Sequence, residues 1–292
     1  MKPNFLTILI LFLSCITNIY GSGSSYFLQQ LDITHGLSQS KVSCIYYDYK
    51  GYLWVGTPFG LNRYDRDEIK QFFHLKSDDT SLPSNEILFI QEDKHKNLWI
   101  GTSQGLCKYN RGNSNFERIK YEGKPLIAYS ILQVKDNLYF GGSKQIFKFQ
   151  YDQQNLVMYP VRSDKKLYTN FTQMIPLDEK NVVINTNIYG IYNYNFDNHK
   201  LTYLDYIPKG NSPTIFIDSH KRLWVSEYGQ GLYCYENGQI LKHFTTHNSL
   251  LSYDVILTME EKDGYLWLGT DGGGIQLISL DDLSFKNYTG NR

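Results

Sequence analysis

The stretch YLWVGTPFGLNRYD, residues 52–65, decides the fold, because its pattern returns along the chain. Leu53-Trp54-Val55-Gly56-Thr57 is echoed by Leu98-Trp99-Ile100-Gly101-Thr102, Leu223-Trp224-Val225-Ser226-Glu227 and Leu266-Trp267-Leu268-Gly269-Thr270. Two weaker copies, Leu138-Tyr139-Phe140-Gly141-Gly142 and Val182-Val183-Ile184-Asn185-Thr186, fill the gap. Positions 54, 99, 139, 183, 224 and 267 are thus equivalent, 40 to 45 residues apart. A period in the forties with strand-like content is the mark of a propeller blade or a related array.

Within each copy the period is two. Residues 42–48 lead through Tyr49-Lys50-Gly51 into the Trp54 strand, and residues 87–93 lead through 94–97 into the Trp99 strand. Each reads as strand, tight turn, strand. A following Gly-Leu or Gly-Ile (Gly60, Gly105, Gly190, Gly231, Gly274) opens a third strand, and aromatic segments such as 69–73 supply a fourth. No run of ten residues carries a helical period. A four-stranded meander cannot bury both faces alone, so the expected fold is all-β, a β-propeller of four-stranded antiparallel blades near 42–75, 87–120, 127–161, 171–204, 212–244 and 255–288.

In that fold Trp54, Trp99, Trp224 and Trp267 are expected to fill the seams between blades. The glycine two residues after Trp54, Trp99 and Trp267 is expected to serve backbone geometry at the next turn. Asp48, Asp93 and Asp218, with Glu261 in the last copy, stand six residues before a tryptophan and are expected to cap turns. A lone strand at 26–31 precedes the first blade. With six complete blades already supplied with a fourth strand, it points to a seven-bladed ring lacking its last blade, because an open ring exposes sheet edges. Closure at six is the competitor.

Lys+Arg and Asp+Glu both number 29, so no electrostatic footprint for nucleic acid exists. Twenty-five Tyr, 16 Phe and 4 Trp favour pleated, half-buried surfaces. Lys2, the apolar run 5–16 and the small residues 21–25 have the layout of a secretory signal, assigned to residues 1–23, so residues 24–292 are expected in the periplasm. Lipid anchoring through Cys15 is disfavoured by Phe12 three residues before it. Cys44, Cys107 and Cys234 fall in separate repeats, which argues for buried small apolar residues and against disulfides. No Cys-x-x-Cys pair suggests zinc, and no cofactor or metal is expected.

GYLWVGTPFGLNRYD, NLWIGTSQGLCKYN and GYLWLGTDGGGIQLI resemble the two-component regulator propeller repeats of bacterial sensors, notably hybrid histidine kinases that detect glycan fragments. The resemblance covers residues 26–292 and is sharpest in the first, second and last copies. It implies the amino-terminal part of a periplasmic sensor region, partnered in a full-length homologue by a second propeller and a dimer mate. Kinase, receiver and DNA-reading segments are not among these residues.

In an up-and-down meander the second-to-third-strand turns and the blade-to-blade connections share one face. Aromatic rings beside amides and carboxylates there suit an oligosaccharide or other small ligand. Phe59, Gln104, Glu227, Tyr228 and Asp271 are the candidate binding residues, and no catalytic residue is assigned. Two other classes stay open. A secreted lactonase or lyase would need His, Asp or Glu converging on the central channel, yet the seven histidines share no repeated inward position. A protein-interaction scaffold would use the rim.

Overall fold

The computed structural model describes residues 31–163, 169–188, 190–207, 210 and 212–287. Residues 1–23, expected to be a signal segment, and all but Leu31 of the strand expected at 26–31 lie outside them. The described chain is an all-β propeller of six four-stranded antiparallel blades. Blade one is β1 (Cys44–Tyr47), β2 (Leu53–Thr57), β3 (Gly60–Tyr64) and β4 (Ile69–Phe72); blade two is β5 (Ile87–Glu92), β6 (Leu98–Thr102), β7 (Gly105–Asn110) and β8 (Asn115–Arg118). A hairpin, β9 (Lys120–Tyr121) and β10 (Lys124–Pro125), precedes blade three, β11 (Ser130–Val134) to β14 (Asn155–Tyr159). Blade four runs from β15 (Phe171–Pro176) to β18 (Lys200–Tyr203), blade five from β19 (Ile215–Ile217) to β22 (Gln239–Phe244), and blade six from β23 (Ile256–Lys262) to β26 (Phe285–Asn287).

The register explains the repeat. Trp54 lies opposite Tyr46 and Arg63, whereas Leu53 and Val55 pair with Tyr47, Ile45, Tyr64 and Asn62 on the other face. Alternation therefore gives each blade two apolar faces, one for each neighbour. Trp54, Trp99 and Trp224 are fully buried, each packed against residues of the following blade. Trp99 meets Phe140 and Phe149 edge-on, with ring centroids 5.1 and 5.0 Å away.

The aspartates do more than cap turns. Asp48, Asp93 and Asp218 accept backbone N–H groups through Oδ1, and through Oδ2 they accept the indole N–H of Trp54 (2.8 Å), Trp99 (2.9 Å) and Trp224 (2.8 Å). A buried indole needs an acceptor, and this carboxylate ties the turn to the seam. Blade six departs from the sequence-based expectation. Its first turn is one residue shorter, with Lys262 pairing directly with Tyr265 around Asp263-Gly264, both at positive φ. That two-residue loop suits a primed hairpin turn. Lys262 therefore occupies the aspartate's place, and Glu261 matches Glu92 instead. Glu92 accepts the N–H of Tyr49 across one seam (3.0 Å), and Glu261 accepts that of Ser219 across another (2.7 Å). A glutamine in blade four latches the next seam twice: Gln173 accepts from Ile215 N (2.9 Å) and donates to Ile215 O (2.8 Å).

The glycines after the tryptophans also need a different reason. Gly56, Gly101 and Gly269 lie inside strands without positive φ; a Cβ there would strike Cys44 and Ile87, the Phe89 ring, and Thr258 respectively. They are small because a side chain of a neighbouring first strand lies across them. Cys107 and Cys234 are buried and Cys44 half-buried, all as free thiols. Burial pushes the Cys44 and Cys234 thiols up to about 12, so they stay protonated.

Five apolar clusters join consecutive blades, from one–two through five–six. None among the described residues joins blade six to blade one. Ile45 of blade one is 65 % exposed, while Ile90, at the same place in blade two, is 6 % exposed. Trp267 is only partly buried and Ile275 beside it is 50 % exposed.

Candidate functional site

The turns from second to third strand and the connections between blades do share one face, as the lining of a cavity in blade two demonstrates. It holds 610 Å³ and is walled by the connection from blade one, the Gln104-Gly105 turn, β8 and the β9–β10 hairpin. Pro83, Leu106, Phe116, Ile119 and Pro125 supply its apolar surface. Such a volume sits within the ~300–1,000 Å³ typical of small-molecule sites.

Local hydrogen bonds fix the walls. The Leu106 N–H donates to Leu126 O (2.6 Å) and the Ile119 N–H to Leu106 O (2.9 Å), so the hairpin extends blade two outward. Tyr121 of this hairpin packs edge-on against Phe147 of blade three, with centroids 5.1 Å apart. Arg118 clamps the connection, donating to Ser81 O (3.0 Å), Asp78 O (2.9 Å), Leu82 O (3.1 Å) and the Ser81 hydroxyl (3.0 Å). A fifth hydrogen bond runs from Nη1 to Asp79 Oδ1 at 3.1 Å. His74 donates from Nδ1 to Leu82 O at 2.7 Å. A carbonyl only accepts, so neutral His74 carries its proton on Nδ1 and keeps Nε2 as an acceptor.

Of the five residues singled out from sequence, Gln104 lines this cavity and the other four do not. Phe59 and Tyr228 are exposed at 60 % and 51 %, on the turns of blades one and five. Asp271 is exposed on the blade-six turn. No hydrogen bond or ring contact joins any two of the five among the described residues.

Glu227 is different: it is 6 % exposed. Thr57, Thr102, Thr186 and Thr270 occupy the equivalent place and donate to the carbonyl of the glycine that opens the third strand, at 2.7 to 2.9 Å. Glu227 cannot repeat that bond when ionised, and its carboxylate lies against Gly210, where any Cβ would collide with it. Ser212 Oγ donates to it at 3.4 Å. Burial raises its pKa and the serine only partly offsets this. A carboxyl raised in the folded state contributes stability that is complete below its unfolded pKa and is lost as pH rises through the folded value. Glu227→Gln should therefore raise the urea midpoint at neutral pH. The gain should vanish below about pH 4. A midpoint lowered at neutral pH would mean that the carboxylate is stabilised there.

Residues 36–59 and 81–104 match the family model described as two component regulator propeller. These two segments carry repeats of that class, and the described residues fold as a propeller. Among solved structures it is similar to the extracellular domain described for the hybrid two component system BT3049 from B. thetaiotaomicron, at 21 % identity and a TM-score of 0.72, over 91 % of this chain and 37 % of that one. A second extracellular domain from B. thetaiotaomicron, that of BT4673, gives 21 % identity and 0.71 over 92 % and 39 %. PorZ, a surface component of the type-IX secretion system of Porphyromonas gingivalis, gives 16 % and 0.60 over 82 % and 38 %. At such identities the likeness is one of fold, and the chain spans less than two-fifths of each structure. None of the curated proteins compared matches the sequence.

Proposed function

We propose that this propeller is a periplasmic ligand-sensing module, the amino-terminal part of a hybrid two-component sensor that regulates glycan utilisation. It binds and does not catalyse; the ligand is an oligosaccharide, and the signal passes to a second propeller and a dimer mate. The observation that carries this reading is the pairing of two-component regulator propeller repeats with an open, apolar-floored, polar-rimmed cavity on the connection face. Phe59, Gln104, Tyr228, Asp271 and the buried Glu227 belong to that face. The uncovered apolar surfaces of blades one and six support a further blade between them, making seven.

Calorimetric titration of the purified chain against defined oligosaccharides tests the reading. Saturable binding of one glycan class, weakened by Gln104→Ala with the thermal midpoint unchanged, is expected. Turnover of a lactone or polysaccharide by the chain would replace sensing with catalysis.

A further inference from the structure

We propose that the blade-two cavity takes a saccharide bearing a carboxylate, which seats on Arg118 in place of Asp79 and beside Lys120. This rests on the ligand-sensing reading above and adds the chemical class of the ligand.

The argument is one of charge and mobility. Arg118 is held rigidly, because four of its five contacts are to the backbone or hydroxyl groups of residues 78–82. Its fifth contact is of another kind: the Asp79 side chain is fully exposed, while Arg118 is 23 % exposed. An exposed pair of this sort contributes little to stability. Asp79 therefore acts as a displaceable occupant on a fixed guanidinium, and an incoming carboxylate gains a charge-assisted hydrogen bond without reorganising the cation.

Lys120 reinforces the preference. It lines the same cavity, is exposed, and makes no ion pair among the described residues. The acidic Glu117 nearby is paired with Lys108 at 2.8 Å. Once Asp79 swings out, the unneutralised charge at the cavity is positive. The remaining rim groups fit hydroxyls: His74 Nε2 accepts, the Gln104 amide does both, and the Thr80 hydroxyl, whose proton goes to Asp78 Oδ1 at 2.6 Å, accepts. The exposed Pro125 ring of the lining suits the C–H face of a pyranose. A sugar acid satisfies both requirements, whereas a neutral sugar leaves the cations unused.

The test is calorimetric titration of the full chain with three probes: a uronic-acid disaccharide, the same disaccharide with its carboxyl reduced to the alcohol, and an acidic dipeptide. The uronide is expected to bind about ten-fold more tightly than its reduced form. Asp79→Asn should tighten the uronide several-fold and leave the reduced sugar unchanged; Lys120→Ala should weaken the uronide and leave the thermal midpoint unaltered. Equal affinity for both disaccharides overturns the carboxylate preference and leaves glycan sensing standing. Binding of the dipeptide alone overturns the saccharide and, with it, the glycan reading. No binding by any probe, or an Asp79→Asn variant that binds more weakly, overturns the site itself.

Discussion

Trp99→Ala should destabilise the chain by about 3–5 kcal/mol, and Trp267→Ala should cost distinctly less, although the two indoles occupy the same place in the repeat. Trp99 is fully buried among residues of blades two and three, its indole N–H donates to Asp93 Oδ2 at 2.9 Å, and Lys108 lies 5.8 Å above its ring. Alanine would remove the ring from the seam and leave a cavity that the strands on either side, fixed by their ladders, cannot collapse into. The carboxylate would keep Asn97 Nδ2 as a donor to the same oxygen, so the loss is one of packing first. Trp267 is already partly exposed, and Lys262 stands where the aspartate would be. Urea unfolding of both variants measures the difference at constant m-value. Equal losses would mean that a surface of comparable apolarity covers Trp267, and the account of an uncovered blade-six face would fail. Ile90→Ala against Ile45→Ala makes the same comparison at the other end, with Ile90 the costly one.

How much of this was legible beforehand depends on which interactions are local. Alternation is local, so the six meanders and the tryptophan positions could be read directly from residues 52–65 and their copies. Register is less local: a turn shortened by one residue at Asp263-Gly264 moved Glu261 into the role of Glu92, and counting back six residues from Trp267 concealed it. The Gly-containing turn at Glu122-Gly123 could have revealed the β9–β10 hairpin, but its two-residue strands are too short for a periodic signal and one ends in Pro125. Without that hairpin the blade-two cavity could not be foreseen. Gln104 was chosen for its place on a turn, while Arg118, His74 and Lys120 come from a fourth strand, a connection and an insertion whose convergence is purely three-dimensional. Glu227 was chosen by the same turn logic and proved buried, because the connection carrying Gly210 and Ser212 folds over it.

The ion-pair network across the first seam was equally hidden, and it yields the second large effect. Arg111→Ala should destabilise the chain by about 3 kcal/mol at neutral pH. Arg111 donates from Nη1 to Asp48 Oδ2 at 2.7 Å and from Nη2 to Glu92 Oε1 at 2.5 Å, and its guanidinium lies 4.8 Å from the Tyr49 ring centroid. The carboxylates are 0 % and 5 % exposed, so removing the cation strands two like charges out of water; the guanidinium's own 23 % exposure places the cost toward the lower end of the range for buried pairs. The two acids respond oppositely in the intact protein. For Asp48 burial pulls the pKa up, but the Trp54 indole, Arg111 and the Tyr52 N–H outweigh it, and the net shift is downward. For Glu92 burial dominates over the Tyr49 N–H and Arg111, and the net shift is upward. Asp48 therefore contributes stability that is present above its unfolded pKa and lost as pH falls through its depressed folded value. Glu92 contributes fully below its unfolded pKa and loses that contribution as pH rises through its raised one. Without Arg111 both folded values rise, so the deficit of the variant should be largest at neutral pH and shrink toward about pH 4, as the carboxyls take up protons. Adding Glu92→Gln to Arg111→Ala removes one stranded charge and keeps an acceptor for the Tyr49 N–H, so the double variant should recover part of the loss. A deficit independent of pH, with no recovery in the double variant, would show that Arg111 acts through its packing on Tyr49 rather than through its charge.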